Sequence, residues 1–214
     1  MTIYLIRHGK TEANEKHLYC GSTDLPLSES GAIELCKLRY TIKNVRVLTS
    51  GMLRTNETLK ILFGDVPFDT DPRFREMDFG IFEMHSYGEL KDTPEYQAWL
   101  TGDNEANIPP KGESGLQMKQ RVLEAFSKIE EDTCIITHGG VIAAIMEHLF
   151  PEETRTRYEW QPRMDAGMKS GEENTDRFHK KIRTCFHSEV RFGSFAYCVC
   201  VHFPRYQRKR PACG

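Results

Sequence analysis

The chain has 214 residues, a net charge of −2 and 39% hydrophobic residues, which is typical of one globular domain of ordinary size. The near-neutral charge does not point to nucleic acid or a membrane surface as a partner, and no apolar run approaches the roughly 20 residues of a membrane helix. Seven cysteines without regular spacing argue against a disulfide framework, and no signal peptide is evident. We therefore expect a cytoplasmic monomer or homodimer with no nucleic-acid or membrane partner.

The first predicted element is an apolar run that ends in Arg7, His8 and Gly9. Residues 3–6 (Ile-Tyr-Leu-Ile) fit a strand that is buried on both faces of a parallel sheet. Open α/β sheets bind ligands outside the carboxyl ends of such strands. Arg7 supplies a fork of donors that matches a phosphate, and His8 supplies a nitrogen that can attack or carry protons. Taken alone, the stretch is equally compatible with a core strand that ends in two polar residues.

Helices and strands alternate after this run. Ser28 is the predicted N-cap of a helix with Ile33 in its apolar stripe, and residues 45–48 form a second strand. The next helix opens at residues 51–55 and is closed by Gly64. The alternation predicts the α/β class, with a parallel sheet and crossover helices.

The following stretch is less regular. We expect an extended segment over residues 66–71 and a loop or irregular strand over residues 74–80. Residues 86–101 should form two short helices that are broken at Pro94, with Trp99 and Leu100 facing inward.

A long helix follows, from Glu113 or Ser114 to about Glu131, with Leu116 on its apolar side. Residues 133–137 are another buried strand, and the last helix of this part spans residues 141–149.

The strand at residues 133–137 ends in a histidine followed by glycine, here His138 and Gly139, as the first strand does in His8 and Gly9. Arg54 lies in the first turn of the helix after the second strand. The amino termini of helices at Met52 and Val141 add N–H groups that favour anions. Because carboxyl ends of parallel strands meet at one edge of a sheet, these groups predict a pocket for an anion, and phosphate suits it best.

Four stretches resemble, in order, those of the histidine phosphatase (phosphoglycerate mutase-like) superfamily. They are residues 5–11 with Asn14, residues 50–55, residues 76–80 and residues 137–140. The resemblance covers about residues 1–160. It implies a three-layer αβα sandwich with a mostly parallel central sheet, and a metal-independent phosphatase that needs no cofactor and acts on a small phosphomonoester.

The resemblance also implies roles for individual residues. His8 would be the nucleophile that becomes phosphorylated, and Arg7, Arg54 and His138 would hold the phosphoryl group. Glu76 would donate a proton to the leaving oxygen.

Several assignments stay open. Asp78 and Glu83 are nearby carboxylates that can replace Glu76 as the proton donor. Further candidates for substrate contacts are Asn14, Gly21, Ser22 and Gly139. For Asn14 and Ser22, capping of a loop is nearly as good an interpretation.

Within the superfamily, three stretches resemble the α-ribazole phosphatases of the cobalamin pathway. They are residues 18–27, residues 75–80 with Glu83, and residues 109–114. Met84 departs from the glycine that is more usual there, and would be a bulkier neighbour for the pocket rim. This resemblance implies hydrolysis of α-ribazole 5′-phosphate. The alternatives are phosphotransfer of the phosphoglycerate mutase type and phosphate binding without catalysis.

The resemblance ends near residue 162, so we divide the chain into a phosphatase domain, residues 1–162, and an atypical segment, residues 163–214. From residue 161 onward there are 11 Lys and Arg against 5 Asp and Glu, and the segment holds four of the seven cysteines. Residues 195–203 are a candidate strand that would add to the sheet. The basic tail at residues 205–210 is expected to be solvated or disordered. Cys198, Cys200 and His202 lack the paired spacing of a zinc site, so we expect no metal.

Overall fold

A single sheet runs through the computed structural model, which describes residues 1–38, 40, 44–155, 157–162, 190–192 and 198–202. The order of the strands in these residues is β3-β2-β4-β1-β6-β5. Strands β1 to β4 are mutually parallel, β6 is antiparallel to β1, and β5 is antiparallel to β6. The predicted mostly parallel sheet is confirmed. The strands are Thr2–Arg7 (β1), Arg46–Thr49 (β2), Asp69–Thr70 (β3), Thr133–Thr137 (β4), Val190–Phe192 (β5) and Cys198–His202 (β6).

The α-helices of the described residues connect these strands, and none of them is long and apolar enough to cross a membrane. Ser28 caps the helix Glu29–Cys36 as predicted, and Gly64 ends the helix Leu53–Phe63 at a φ of 73°, where a side chain would be strained. Two short 3-10 helices, Pro72–Phe74 and Gly80–Phe82, flank the loop that follows β3. The α-helices are Glu12–Glu15 (α1), Glu29–Cys36 (α2), Leu53–Phe63 (α3), Tyr87–Leu90 (α4), Pro94–Leu100 (α5), Gly115–Phe126 (α6), Gly139–Leu149 (α7) and Arg157–Trp160 (α8).

Both faces of the sheet are covered, because successive side chains of a strand point to opposite faces. Ile3 and Leu5 of β1 belong to the larger core cluster, which includes α6 and α7. Ile6 belongs to a second cluster with Leu59 of α3. The structure therefore has the three predicted layers, with the sheet between two layers of helices.

Three apolar residues are exposed although their predicted positions face the core. Ile33 is 52% exposed, Leu116 50% and Leu100 39%. Ile33 lies two residues from the buried Leu35, and Leu116 two residues from the buried Met118. Residues two apart on a helix point in different directions, so these side chains face away from the core.

Some boundaries differ from the predicted ones. α6 ends at Phe126 instead of near Glu131, because Lys128 and Ile129 donate to carbonyls three residues back and tighten the chain into a turn. α3 begins at Leu53 and α7 at Gly139, not at Met52 and Val141. Of the extended segment predicted for residues 66–71, only Asp69–Thr70 pairs as a strand.

The strand expected within residues 195–203 is present as β6, which pairs with β1 from Thr2↔His202 to Ile6↔Cys198. It packs Val201, which is 2% exposed, into the larger core cluster. The basic end at residues 205–210 and most of the charged stretch before β5 lie outside the described residues. So do the side chains of Cys198, Cys200 and His202.

Candidate active site

The two histidines lie side by side because β1 and β4 are hydrogen-bonded neighbours in register, with Arg7 opposite Thr137. The His8 N–H continues this ladder and donates to the Thr137 carbonyl at 2.9 Å. The ring centroids of His8 and His138 are 5.0 Å apart. Both rings are buried, with 6% and 0% of the residue exposed.

His8 is held in one tautomer by the backbone. Its Nδ1 lies 2.7 Å from the Gly9 carbonyl oxygen, which can only accept, so Nδ1 carries the proton. Burial lowers the pKa of His8 well below its usual value, and the positive charges of Arg54 and Arg7 lower it further. The ring is therefore neutral near pH 7, with its lone pair on Nε2.

His138 is held in the opposite tautomer by side chains. Arg54 Nε donates to its Nδ1 at 3.4 Å, and its Nε2 lies 2.9 Å from the Ser50 hydroxyl oxygen, to which it donates. Burial, followed by the charge of Arg54, lowers the pKa of His138 well below the usual range. Both ring nitrogens have protein partners, so a bound phosphoryl oxygen must replace one of these contacts.

The two arginines approach the histidines from different elements. Arg54 is 1% exposed in the first turn of α3, and its other bonds go to the carbonyls of Gly21 and Thr23. These contacts with described residues use three of the five guanidinium N–H groups. Arg7 Nη1 donates to the Pro162 carbonyl at 2.7 Å. A Cβ on Gly139 would lie 2.6 Å from Gln161 Oε1 and 2.9 Å from Arg7 Cζ, so a side chain there would displace both groups.

Of the three candidate proton donors, Glu76 is the one whose carboxylate contacts the first turn of α7. Its Oε2 accepts from the Gly140 N–H at 2.9 Å, and a Cβ on Gly140 would collide with it. Glu83 instead accepts bonds from the N–H groups of residues 21, 22, 23 and 79 and from the Thr23 hydroxyl. Asp78 accepts from the Ser22 hydroxyl and the Gly80 N–H. These partners fix Glu83 and Asp78 in the loops.

Asn14 has local contacts that match the capping interpretation, whereas Gly21 and Ser22 contact a carboxylate about 60 residues away. Asn14 Oδ1 accepts from the backbone and the hydroxyl of Thr11 in a capping box, although the residue also lines the cavity. Gly21 and Ser22 donate their N–H groups to Glu83, and the Gly21 carbonyl accepts from Arg54. Gly21 and Ser22 thus hold the loop that places Arg54.

The expected anion sites at two helix ends differ from the prediction. At α3 the Leu53 N–H donates to Asp24 Oδ1 at 2.8 Å, so this group is already used. At α7 the Gly140 N–H is used by Glu76. One N–H group at each helix end is therefore already used, while the charges of Arg54 and Arg7 act on both histidines and lower their pKa values.

A cavity of about 820 Å³ adjoins the candidate site, of which Arg7 and Glu76 are lining residues. Tyr19, Phe79 and Trp99 form one aromatic wall, with ring centroids 5.2 Å apart for Tyr19 and Phe79 and 6.4 Å apart for Phe79 and Trp99. Met84, expected at the rim, is 38% exposed and is not among the lining residues. Among the described residues, no cluster of three His, Cys, Asp or Glu is suited to a metal ion.

Sequence reasoning gave no role to two hydroxyl groups of this site. Ser50 holds His138, and Thr58 Oγ1 accepts from the Gly9 N–H at 3.0 Å, which fixes the residue whose carbonyl holds His8. Ser50 lies in a stretch that resembles the superfamily, which was a usable signal. Thr58 gave no signal, because it lies one helical turn beyond Arg54 and its contact to Gly9 spans 49 residues.

Two buried histidines at adjacent strand ends, backed by two arginines in an αβα sandwich, are typical of enzymes that transfer phosphoryl groups through histidine. The model of the histidine phosphatase superfamily (branch 1) matches residues 3–184, and the chain belongs to this superfamily. The predicted superfamily is thereby confirmed, and the enzyme is a phosphatase. The match continues past residue 162, where we expected the resemblance to end.

Individual relatives agree with this membership. The adenosylcobalamin/alpha-ribazole phosphatase of Salmonella typhimurium (strain LT2) is 32% identical over 180 residues, which cover 78% of this chain and 87% of that protein. A Yersinia pestis (strain Pestoides F) protein named a probable phosphoglycerate mutase, GpmB, is 28% identical over 163 residues, 70% of this chain and 74% of that one. A crystal structure of a candidate alpha-ribazole-5′-P phosphatase from Escherichia coli K-12 has a TM-score of 0.68 at 27% identity, covering 76% of this chain and 86% of that one.

Proposed function

We propose that this enzyme hydrolyses phosphomonoesters through a phosphohistidine at His8, without a metal ion. The observation that carries the proposal is the state of the His8 ring. Its Nδ1–H is fixed on the Gly9 carbonyl, and burial and two guanidinium groups keep it neutral. Nε2 therefore has its lone pair for attack on phosphorus.

In the first step, His8 Nε2 forms a bond to phosphorus while the bond from phosphorus to the alcohol oxygen breaks. Glu76 gives its proton to that oxygen, and a neutral alcohol leaves. In the second step a water oxygen attacks the phosphoryl group, Glu76 takes the proton of the water, and the bond from phosphorus to nitrogen breaks. Inorganic phosphate leaves, and His8 is again neutral.

The arginines have the larger energetic task. Enzymes accelerate phosphomonoester hydrolysis by up to ~10²¹, whereas a general acid contributes about 10²–10⁴. Most of the barrier must be lowered by positioning and by stabilising charge on the phosphoryl oxygens. Arg7 and Arg54 supply two positive charges at fixed positions for this purpose.

For the substrate we propose α-ribazole 5′-phosphate, hydrolysed in the cytoplasm by a monomer or homodimer. The names of two similar proteins support this choice. α-Ribazole is a nucleoside with a flat aromatic base, and the cavity that Arg7 and Glu76 line has an aromatic wall of Tyr19, Phe79 and Trp99. Such a ring gains offset or edge-to-face contacts on an aromatic wall.

The test is phosphate release from a substrate panel in the presence of a chelator, with wild type beside His8→Ala. The panel contains α-ribazole 5′-phosphate, common nucleoside 5′-phosphates, phosphoglycerates and 4-nitrophenyl phosphate. We expect the highest kcat/KM for α-ribazole 5′-phosphate, no effect of the chelator, and no turnover by His8→Ala. Full activity of His8→Ala would exclude the mechanism.

The similar protein named as a phosphoglycerate mutase makes phosphotransfer the second candidate. A coupled isomerisation assay with the same phosphoglycerates distinguishes the two. Interconversion of phosphoglycerates faster than release of phosphate would favour the mutase. Phosphate binding without turnover of any substrate would favour a binding protein without catalytic activity.

A further inference from the structure

The loop that carries Glu76 is held by side chains instead of by a sheet. The carbonyl oxygens of four consecutive residues, 73–76, all accept hydrogen bonds from side chains of other elements. Thr137 of β4 binds the carbonyl of Phe74, and Arg121 of α6 binds the other three. A loop without strand partners needs such acceptor contacts, because buried carbonyls are costly when unpaired.

Arg121 uses its whole guanidinium group for this loop. Nη1 donates to the carbonyls of Arg73 and Arg75 at 2.7 and 2.8 Å, and Nη2 donates to the carbonyl of Glu76 at 3.0 Å. Nε donates to Glu113 at 3.0 Å, and Nη2 also contacts Glu113. These bonds account for all five N–H groups that a guanidinium has.

Glu113 completes the clamp from the other side. Its carboxylate orients the guanidinium and also accepts from the Asp78 N–H at 3.2 Å. Its own N–H donates to the Asp78 carbonyl at 3.0 Å. The backbone of Glu76 therefore lies between two fixed ends, with Arg121 on residues 73, 75 and 76 and Glu113 on residue 78.

We propose that Arg121, oriented by Glu113, is a positioning residue that holds Glu76 in place for proton transfer to the leaving oxygen. The inference rests on the proposed function, in which Glu76 is the proton donor. Within the described residues, the Glu76 carboxylate accepts two hydrogen bonds, from the N–H groups of Gly140 and Met77, so its placement depends on the backbone beneath it. Proton transfer tolerates little displacement of donor and acceptor.

The test compares two leaving groups. An alkyl phosphate such as α-ribazole 5′-phosphate needs a proton on its leaving oxygen, whereas the nitrophenolate of 4-nitrophenyl phosphate leaves with little need for one. We expect Arg121→Met to lower kcat/KM about 10–100-fold for the alkyl phosphate and about threefold or less for 4-nitrophenyl phosphate. The first loss is smaller than the full contribution of a general acid, about 10²–10⁴, because Glu76 is displaced and not removed. The ratio of the two values does not depend on how much of the variant is folded.

Four further variants sharpen the result. Glu76→Gln sets the largest possible selective loss, and Arg121→Lys, with three donors in place of a planar fork, should fall between Arg121→Met and wild type. The double variant Arg121→Met/Glu76→Gln should show the same leaving-group ratio as Glu76→Gln alone, because Arg121 acts through Glu76. Lys119→Gln is the matched control on α6: its ion pair with Glu147 lies outside this clamp, and the ratio should not change.

An equal loss for both substrates in Arg121→Met would overturn the inference, since it would mean a general effect on the fold. Should Arg121→Met fail to fold, Arg121→Lys and Glu113→Gln decide by the same ratio. If Glu76→Gln shows no selective loss, Glu76 is not the proton donor, and the proposed mechanism fails together with this inference. If only Glu76→Gln is selective, the proposed function stands and the role of Arg121 is excluded.

Discussion

The carboxyl ends of β1 and β4 follow the same sequence pattern and differ in chemistry. Each is a buried strand followed by a histidine and a glycine, and the strands pair residue by residue. Both rings are buried, and burial lowers both pKa values. His8, however, is anchored by a backbone carbonyl through Nδ1, whereas His138 is bound by side chains through both nitrogens.

The difference shows that a strand end decides where a histidine lies, while its hydrogen-bond partners decide what it can do. A carbonyl oxygen only accepts, so it leaves His8 one nitrogen with a lone pair. Arg54 and Ser50 instead turn His138 into a ring that donates through Nε2, a state suited to binding a phosphoryl oxygen. We therefore expect the two histidines to fail differently when they are replaced.

The largest difference is expected on replacing each histidine. His8→Ala should lower kcat by at least ~10⁴-fold, as the loss of a nucleophile does, and should leave no phosphoprotein. His138→Asn should lower kcat about 10²–10³-fold, the usual cost of one donor to a developing charge, while phosphohistidine still forms. Steady-state assays measure kcat, and rapid-quench trapping of labelled phosphate on the protein measures the phosphohistidine in each variant. Equal trapping in the two variants would contradict the distinct roles.

The histidines should be alike in their effect on stability. Each has a pKa lowered by folding, so the unfolded chain takes up protons first as the pH falls below its ordinary pKa of about 6.5. The two histidines therefore leave the free energy of unfolding unchanged above about pH 7.5 and lower it below pH 6.5. Two such groups should lower the free energy of unfolding by about 2 kcal/mol between pH 7 and pH 5.5.

Urea denaturation in phosphate-free buffer at the two pH values measures this loss. The double variant His8→Asn/His138→Asn is the control, and its free energy of unfolding should change by about 2 kcal/mol less over the same interval. The same pH dependence in wild type and the double variant would contradict the buried neutral state of both rings.

A third test concerns the side-chain anchor of His138. Ser50→Ala removes the acceptor of the Nε2 proton. Arg54 still donates to Nδ1 and keeps the tautomer, but the ring loses one of the two contacts that orient it. We expect kcat/KM to fall about tenfold, corresponding to the ~1.4 kcal/mol of one hydrogen bond. Thr55→Val is the control, because it removes the other hydroxyl that contacts Ser50 and leaves His138 untouched. If Thr55→Val also lowers kcat/KM tenfold, Ser50 acts on the loop and not on His138.

The parts of the structure that the sequence predicted are those governed by local pattern. Continuous apolar runs indicated β1 and β4, and the shared placement of His8 and His138 follows from parallel pairing. The cap at Ser28 and the stop at Gly64 are also local features. Ile33 and Leu116 show the limit, because an apolar residue in a helix does not by itself reveal which side is covered.

The parts that the sequence did not predict depend on contacts between distant residues. Glu83 organises residues 21–23, about 60 positions earlier, and Arg121 binds the loop of Glu76, 45 positions away. No periodicity or composition signals such a pairing. As a result, Glu83 was a plausible proton donor in the sequence, and the structure places it as an anchor of the loop that holds Arg54.

The smallest effect on activity is expected at the anchor of His8, because that anchor is a backbone group that no side-chain substitution removes. Thr58 supports it indirectly by accepting the Gly9 N–H at 3.0 Å. Thr58→Val keeps the shape of the residue and leaves this buried N–H without its acceptor. The free energy of unfolding should fall by about 1–3 kcal/mol, as for other unsatisfied buried donors.

Activity should respond less to Thr58→Val than stability does. The Gly9 carbonyl belongs to the peptide bond with Lys10 and not to the one whose N–H binds Thr58, so it keeps the His8 tautomer. We therefore expect kcat/KM to fall about threefold, which corresponds to ~0.6 kcal/mol. Thr58→Ser retains the hydroxyl and should retain full kcat/KM with a modest loss of stability from the missing methyl. If Thr58→Val instead lowers kcat/KM as far as Ser50→Ala does, a side chain governs His8 as well, and the contrast between the two strand ends is wrong.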